Sequence, residues 1–424
     1  MTNDTKIILG IKDPNIKKLK VMNPLEMMGP LKVQAILDYR PKACPKCGVL
    51  NQKSIIKYGW RWANVKLPRT AERDVQLHLK KRDFKCKHCL QYFLAETPLV
   101  QRNHTISNTS KLACFLKLSE TVSMRHVATE LSISSTTVLR IMRSYQGNVK
   151  TRFDWLPAVI NMDEVKSTKD AKGSMSFVFM DGIRCEFLDI LESRTLYDLE
   201  NYFKRYTKKA RESVKVIVTD MNYTYPKLAE SIFPNAIVVT DRFHIVNSVM
   251  RGFTRVRIRI MKSYAPSNMK YKALKRYWRL FFKPNEKLDF KKYSNYTNIP
   301  GSQTENSVVE YLLDINEELR EAYNQLQTVM SAVRYRDIAR LETVLDGKDN
   351  GSEEMTKALN ALVENRESVD NALRYEFSNG PMEGINNKIK VIKRVAYGFG
   401  CFTSFRLRIH LAFGLKKNCL ISKD

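Results

Sequence analysis

The spacing of apolar positions changes character three times along the chain. Tyr58, Trp60, Trp62, Val65 and Leu67 are followed by Val75, Leu77 and Leu79 in strict alternation with polar residues, and a period of two predicts short strands. Between Ser110 and Tyr145 the pattern turns helical. Leu112, Phe115, Leu116 and Leu118 fall on one predicted helix, and Met124, Val127, Ala128 and Leu131 on the next. Ser132-Ile133-Ser134 interrupts, and a third helix capped by Ser134 or Ser135 carries Val138, Ile141 and Met142. Helix, short polar turn and helix match the helix-turn-helix unit that enters a major groove, with Ser135, Thr136, Thr137 and Arg140 facing DNA. An ordinary helical hairpin has the same pattern.

After Trp155 apolar runs rich in Val and Ile take over. Ala158 to Val165 reads as a strand, and Met175 to Met180 with Ile183 to Leu191 reads as a hairpin turning at Asp181-Gly182. There follow a helix from Leu196 to Tyr206, a buried strand from Val214 to Thr219 and a helix from Tyr225 to Phe233. A fifth strand from Ala236 to Thr240 and a long basic helix from Arg242 complete the run. An antiparallel hairpin followed by alternating strands and helices is the element order of the ribonuclease-H-like fold, in which the first and fourth strands lie side by side. The predicted class is therefore multidomain α/β.

Charge narrows the partner. The 424 residues carry 72 Lys and Arg against 44 Asp and Glu, a net charge of +28. Residues 1–150 hold 27 basic and 10 acidic side chains, so the first third supplies +17 of it. Such an excess calls for a polyanion and says little about fold. A length of 424 residues allows several domains and excludes a small disulfide-stapled fold. No apolar run is long enough to span a bilayer and no charged-then-apolar leader opens the chain, so a soluble cytoplasmic protein with no membrane partner is expected. Four of the eight cysteines form two pairs, Cys44-Pro-Lys-Cys47 and Cys86-Lys-His-Cys89. Each pair puts two thiolates on one tight turn, and together they complete one tetrahedral zinc site of the ribbon type.

Strand ends carry the candidate chemistry. If the first and fourth strands are neighbours, Asp163 and Asp220 meet at one edge of the sheet. Two carboxylates held close repel unless a cation joins them. Hard oxygen ligands select Mg2+ or Mn2+, and two such ions can activate an attacking oxygen and stabilise a leaving one in phosphoryl transfer. Taken singly, each aspartate would more readily be a turn or helix cap. A third carboxylate appears in Ser378-Asn379-Gly380-Pro381-Met382-Glu383, where Pro381 suits a first helical turn. No acid occurs from Gly384 to Lys423, whereas nine Lys or Arg do, so Glu383 is an isolated acid at the head of a basic segment. Asn386, Asn387, Lys388 and Lys390 follow on the same helix as phosphate ligands. Between the fifth strand and Glu383, Arg255, Arg257, Arg259, Lys275 and Arg276 alternate with aromatics, which suits phosphate contact with stacking. A solvated basic helix packed through its aromatics would look the same.

The paired cysteines, Met162-Asp163-Glu164, Thr219-Asp220-Met221, Asp241-Arg242-Phe243-His244 and the segment from Ser378 through Lys390 to Arg394-Val395-Ala396-Tyr397-Gly398-Phe399 resemble bacterial insertion-sequence transposases of the ISL-three family, with a DDE triad. The resemblance covers nearly the whole chain. It implies a zinc ribbon and helix-turn-helix that read the element's terminal inverted repeats, and a ribonuclease-H-like catalytic domain interrupted by a helical insertion. The triad is then Asp163, Asp220 and Glu383, holding two Mg2+ or Mn2+ ions. It implies partners in double-stranded DNA, both repeats and target, assembly as a homodimer or higher on DNA, and a place at the bacterial nucleoid. Whether Asp241 and His244 position a scissile phosphate or cap the helix after the fifth strand stays open. The expected division is a lead segment at 1–38, zinc ribbon at 39–104, helix-turn-helix at 105–150, catalytic domain at 151–262, insertion at 263–370 and the rest of the catalytic domain at 371–424. Two other readings fit parts of the pattern: a non-catalytic zinc and helix-turn-helix regulator, and a ribonuclease-H-like nuclease that does not join strands.

Overall fold

Alternation near the amino terminus has a direct structural cause. Val33, Ala35, Leu37, Val65, Leu67, Val75, Leu77 and Leu79 all turn to one face of a sheet and are buried there together, since a strand sends successive side chains to opposite faces. The structure, a computed structural model, describes residues 2–23, 29–149, 151–348 and 351–418. It comprises two units, the first formed by residues 1–150, 168–170 and 388–424, the second by residues 151–167 and 171–387.

In the first unit, α1 (Thr2–Ile8) precedes strands β1 (Ile16–Val21), β2 (Leu31–Leu37), β3 (Ile55–Thr70), β4 (Arg73–Cys86) and β5 (Tyr92–Leu94). The sheet order is β1-β2-β4-β3, with β5 also on β4 and β2 running parallel to β4. Two features differ from expectation. The strands joining the cysteine pairs are long, 16 and 14 residues, and form one hairpin. Within the expected lead segment, β1 and β2 extend the ribbon's sheet, and Ile16, Val33 and Leu37 enter its core. Helices α2 (Asn108–Leu118), α3 (Met124–Glu130) and α4 (Ser135–Ser144) follow, each begun by a serine whose hydroxyl accepts the amide N–H three residues on, Ser134 in the case of α4. Val127, Val138, Ile141 and Met142 pack inside, joined by Leu407 and Leu411 of the C-terminal helix (Phe402–Asn418). Leu112 and Leu116, expected on the apolar face, are exposed, while Cys114 and Leu118 take the buried positions.

The second unit holds the mixed sheet. Strands β6 (Val159–Lys166), β7 (Met175–Asp181), β8 (Glu186–Leu191), β9 (Val216–Thr219) and β10 (Ile237–Thr240) lie in the order β10-β9-β6-β7-β8. β6 is antiparallel to β7 and parallel to β9. First strand beside fourth, hairpin on one flank and parallel pair on the other, is the ribonuclease-H-like topology. Helices α5 (Leu196–Phe203), α6 (Lys208–Glu212) and α7 (Thr224–Ile232) cover one face through Leu199, Phe203, Tyr225 and Leu228. The other face meets α8 (Arg242–Lys262) through Val216, Val218 and Val239 against Ile245 and Val249. α8 then packs with α9 (Met269–Arg276), α10 (Glu305–Leu313), α11 (Glu317–Tyr335), α12 (Ile338–Asp346), α13 (Glu353–Glu364) and α14 (Arg366–Arg374) in one continuous core. At Gly252 the approach of α13 is so close that an added methyl would sit 2.9 Å from Ala358 Cβ. Helix α15 (Gly380–Val395) comes last before the C-terminal helix. Residues 388–424, expected with the catalytic domain, group with the first unit.

Candidate active site and metal centre

Strand register decides which acids meet. β6 and β9 pair Val159 with Val216, Ile160 with Ile217 and Asn161 with Val218, so two residues further on Asp163 stands beside Asp220. β9 and β10 pair Thr219 with Thr240, and the Asp241 amide donates to the Thr219 carbonyl at 2.9 Å. Asp163, in the middle of β6, and Asp220 and Asp241, just past the ends of β9 and β10, thus form a row across three adjacent parallel-paired strands. By the two-residue period they share the face of Val159, Val218 and Val239.

Asp220 is strongly perturbed. Its Oδ1 is buried without a hydrogen-bond partner among the described residues. Burial first, and then the charge of Asp163, push its carboxyl up to about 6, with His244 opposing and Glu164 adding. Asp163 is held from two sides: its Oδ2 accepts from Asn386 Nδ2 at 2.7 Å and its Oδ1 from the Glu164 amide at 2.7 Å. Glu164 points the other way, into Tyr225 OH and Asn222 Nδ2, both at 2.9 Å, and an ion pair with Arg194. That set of partners makes it part of the scaffold.

Helix α15 is pinned to β6 by asparagines. Asn161 Nδ2 donates to Asn379 Oδ1 at 2.8 Å and to the Ser378 carbonyl at 2.9 Å, while Asn379 Nδ2 returns a bond to the Met162 carbonyl at 3.2 Å. Gly182 is required beneath this lock, because a Cβ there would lie 2.3 Å from Asn161 Oδ1. Glu383 is exposed and lies one turn before Asn386, on the same side of the helix. Among the described residues only the four cysteines bring three or more ligating atoms within 4.8 Å of one another. Glu383 therefore shares a helix face with the partner of Asp163, but the three acids do not converge to that distance in this conformation. Asp241 is buried and begins α8 without a side-chain cap bond, and His244 lies one turn into that helix, close enough to Asp220 to stabilise its charge.

The cysteines converge closely. Cys44 and Cys89 Sγ are 3.7 Å apart, Cys47 and Cys86 Sγ 3.8 Å, and all four lie within 4.8 Å. Four sulfurs about 2.3 Å from one ion at tetrahedral angles would be about 3.8 Å apart, so the donor set fits zinc. The residue after each pair, Gly48 and Leu90, has a left-handed backbone (φ +73° and +60°), so the two knuckles share one turn geometry. Burial opposes ionisation of Cys44, but the amides of Cys47 and Lys46 outweigh it and bring the thiol down to about 7.

The expected DNA contacts divide. Ser135, Thr136 and Arg140 are exposed on α4, and Arg140 edges a cavity of about 430 Å3 with Lys111 and His104. Thr137 is half-buried, its hydroxyl bonded to that of Ser134. Arg255, Lys275 and Arg276 are exposed, Lys275 over Tyr271 and Arg276 over Tyr277. Two arginines do not fit the expectation. Arg257 is buried and donates to the Leu274 carbonyl at 2.8 Å, and Arg259 is clamped between Glu318 and Glu354. On α15, Asn386 is buried against Asp163 instead of free for phosphate, Lys388 bonds the Ala412 carbonyl, and Asn387 and Lys390 are exposed. Asn161 and Asn379 were not anticipated. Their signal is a polar residue inside the apolar run Val-Ile-Asn-Met-Asp, two positions before Asp163 and so on its face.

Residues 160–409 match the profile of a family described as transposase, of the ISL3 type, and residues 40–89 match the zinc finger of transposases IS204, IS1001, IS1096 and IS1165. The transposase for insertion sequence element IS1001 of Bordetella parapertussis is 23% identical over 349 residues, 81% of this chain and 82% of that protein. A Lactococcus lactis protein named ATP-dependent protease is 38% identical over 111 residues, 26% of this chain, and the match spans only 36% of that protein. Among solved structures, the Drosophila P element transposase strand transfer complex aligns over 75% of this chain and 94% of that one, with 12% identity and a TM-score of 0.36.

Proposed function

Since the chain belongs to the ISL3 family of DDE transposases, we propose that it binds the terminal inverted repeats of an insertion sequence and, with divalent metal, cuts and joins DNA there. The observation that carries the reading is the in-register pair Asp163 and Asp220 on adjacent strands, with a buried Asp220 oxygen that has no hydrogen-bond partner among the described residues. A carboxylate in that state is ready for a cation, and the oxygen donor set suits Mg2+ or Mn2+. Asp163 and Asp220 would hold the metal with Glu383. When bound, two such ions supply Lewis-acid activation of the attacking oxygen and charge stabilisation at the leaving one. Asn386 fixes the carboxylate of Asp163, and the Asn161–Asn379 lock fixes the start of α15, so these two contacts set where Asp163 and the helix that carries Glu383 lie. No side chain acts as nucleophile, so no covalent protein–DNA link forms.

The four cysteines would hold one structural zinc. Ser135, Thr136 and Arg140 would read bases, with Arg255, Lys275, Arg276, Asn387 and Lys390 on phosphates. Among the described residues no helix is long and apolar enough to cross a membrane, and we place the protein in the cytoplasm at the nucleoid, acting as a homodimer or larger assembly on DNA.

The test is incubation of purified protein with the end DNA of its own element and Mg2+. Nicked and joined products are expected. Nicking without joining would mean a nuclease, and neither would mean a regulator. Asp241, in the acidic row, favours a second reading of the third ligand. Glu383→Gln should abolish both products and Asp241→Asn should leave them measurable, whereas the reverse would give Asp241 that role.

A further inference from the structure

The outer face of the zinc-ribbon sheet is built for stacking. While Val33, Val65, Leu77 and their neighbours fill the core, the alternate residues turn outward in register: Trp60 opposite Arg82, Trp62 opposite Lys80, and His78 between Asn64 and Gln34. Trp60 is 36% exposed and Trp62 53% exposed, a large cost for two indoles unless something covers them. Arg82 lies 3.3 Å from the centroid of Trp60, and Lys80 stands 5.3 Å and 5.5 Å from the two rings. Two acids border the face, Asp38, paired with Lys57 and Arg82, and Asp74, paired with Lys66 and Arg69.

We propose that this face binds unpaired DNA bases, with Trp60 and Trp62 as stacking platforms and Lys80 as the phosphate contact, Arg82 being shared with Asp38. The proposal deepens the transposase reading and rests on it for the choice of DNA. Cations around flat apolar rings fit a ligand with both a negative backbone and aromatic faces. Intact duplex hides its base faces within its own stack, so a single strand meets the requirement better. Same-face residues along a strand are roughly 6.6–6.8 Å apart, twice the roughly 3.4 Å rise per nucleotide, which leaves room for one base between the rings.

Full-length zinc-loaded protein, without Mg2+, is titrated into labelled oligothymidylate and into a labelled duplex of equal length. Trp62→Ala should weaken oligothymidylate binding roughly 5- to 150-fold and change duplex binding by less than about twofold. Oligothymidylate should also quench the tryptophan emission of the native protein, and Trp60→Phe with Trp62→Phe should lose that quench while keeping most of the affinity, a readout that does not depend on a disruptive variant. An unchanged affinity together with a surviving quench would overturn the proposal. So would an equal loss on duplex, which would make duplex the occupant, or loss of self-association in place of DNA binding, which would make it a second copy. Since no cleavage is read, a protein inactive with Mg2+ leaves this result interpretable.

Discussion

Asp220→Asn should make the protein more stable without Mg2+ and at the same time remove its response to Mg2+. The buried carboxyl is pushed up to about 6 from 3.8 by burial and by Asp163. Two pKa units correspond to about 3 kcal/mol, and partial solvent access with imperfect pairing of the new amide reduces this to about 2 kcal/mol. The folded-state pKa lies above the unfolded one, so the native protein binds the extra proton. Its stability from this group is present below about pH 4, is lost as pH rises through about 6, and stays lost at neutral pH. Removing the charge should therefore raise the melting temperature at pH 7.5 by roughly 4–8 °C, and leave it unchanged near pH 4. Millimolar Mg2+ should raise the melting temperature of the native protein and not that of the variant. The assay is thermal unfolding across pH with zinc retained and Mg2+ added or omitted. A variant less stable than the native protein at pH 7.5, still stabilised by Mg2+, would refute the idea that Asp220 is a strained, metal-seeking carboxylate.

Four further outcomes follow from other parts of the molecule. Cys47→Ser should lower bound zinc from about one per chain and loosen the first unit, seen by metal analysis and by proteolysis within residues 39–104. Arg140→Ala should erode the preference for cognate ends over random DNA by roughly 1–3 kcal/mol per lost base contact, measured as a ratio of affinities at one salt concentration. Arg257→Ala should cost about 2–3 kcal/mol in unfolding experiments, because the Leu274 carbonyl loses its buried partner, with no change in the salt dependence of DNA binding. Gly182→Ala should displace Asn161, cost about 1–3 kcal/mol, and reduce cleavage while end binding persists.

Much of the catalytic unit was legible because its signals are local. The β7–β8 hairpin, although its loop is residues 182–185 and β8 begins at Glu186 instead of Ile183, the valine-rich strands and the acids near their ends lie within a few residues of what they determine, and the element order then limits the topology. What was not legible depends on contacts distant in sequence. Nothing near residues 31–37 announces a parallel pairing with residues 75–81, and nothing in the Phe402–Asn418 helix announces that Leu407 and Leu411 complete the core of the helix-turn-helix. For Arg257 the sequence does hold a clue. Arg257 lies four residues after Phe253 and four before Met261, both buried, so helical periodicity puts it on the core face. Arg259 could not have been assigned, since Glu318 and Glu354 come from remote helices. Asn386 looked like a phosphate ligand among basic neighbours, and only the fold shows that it serves Asp163.

The central claim is that the in-register aspartates of β6 and β9 perform the chemistry, and the most direct measurement is single-turnover cleavage of the element's own end DNA in Mg2+ by native protein, Asp163→Asn and Asp220→Asn. The account predicts that each variant binds the ends with near-native affinity and produces no cleaved or joined strand. Cleavage at the native rate by either variant would contradict it.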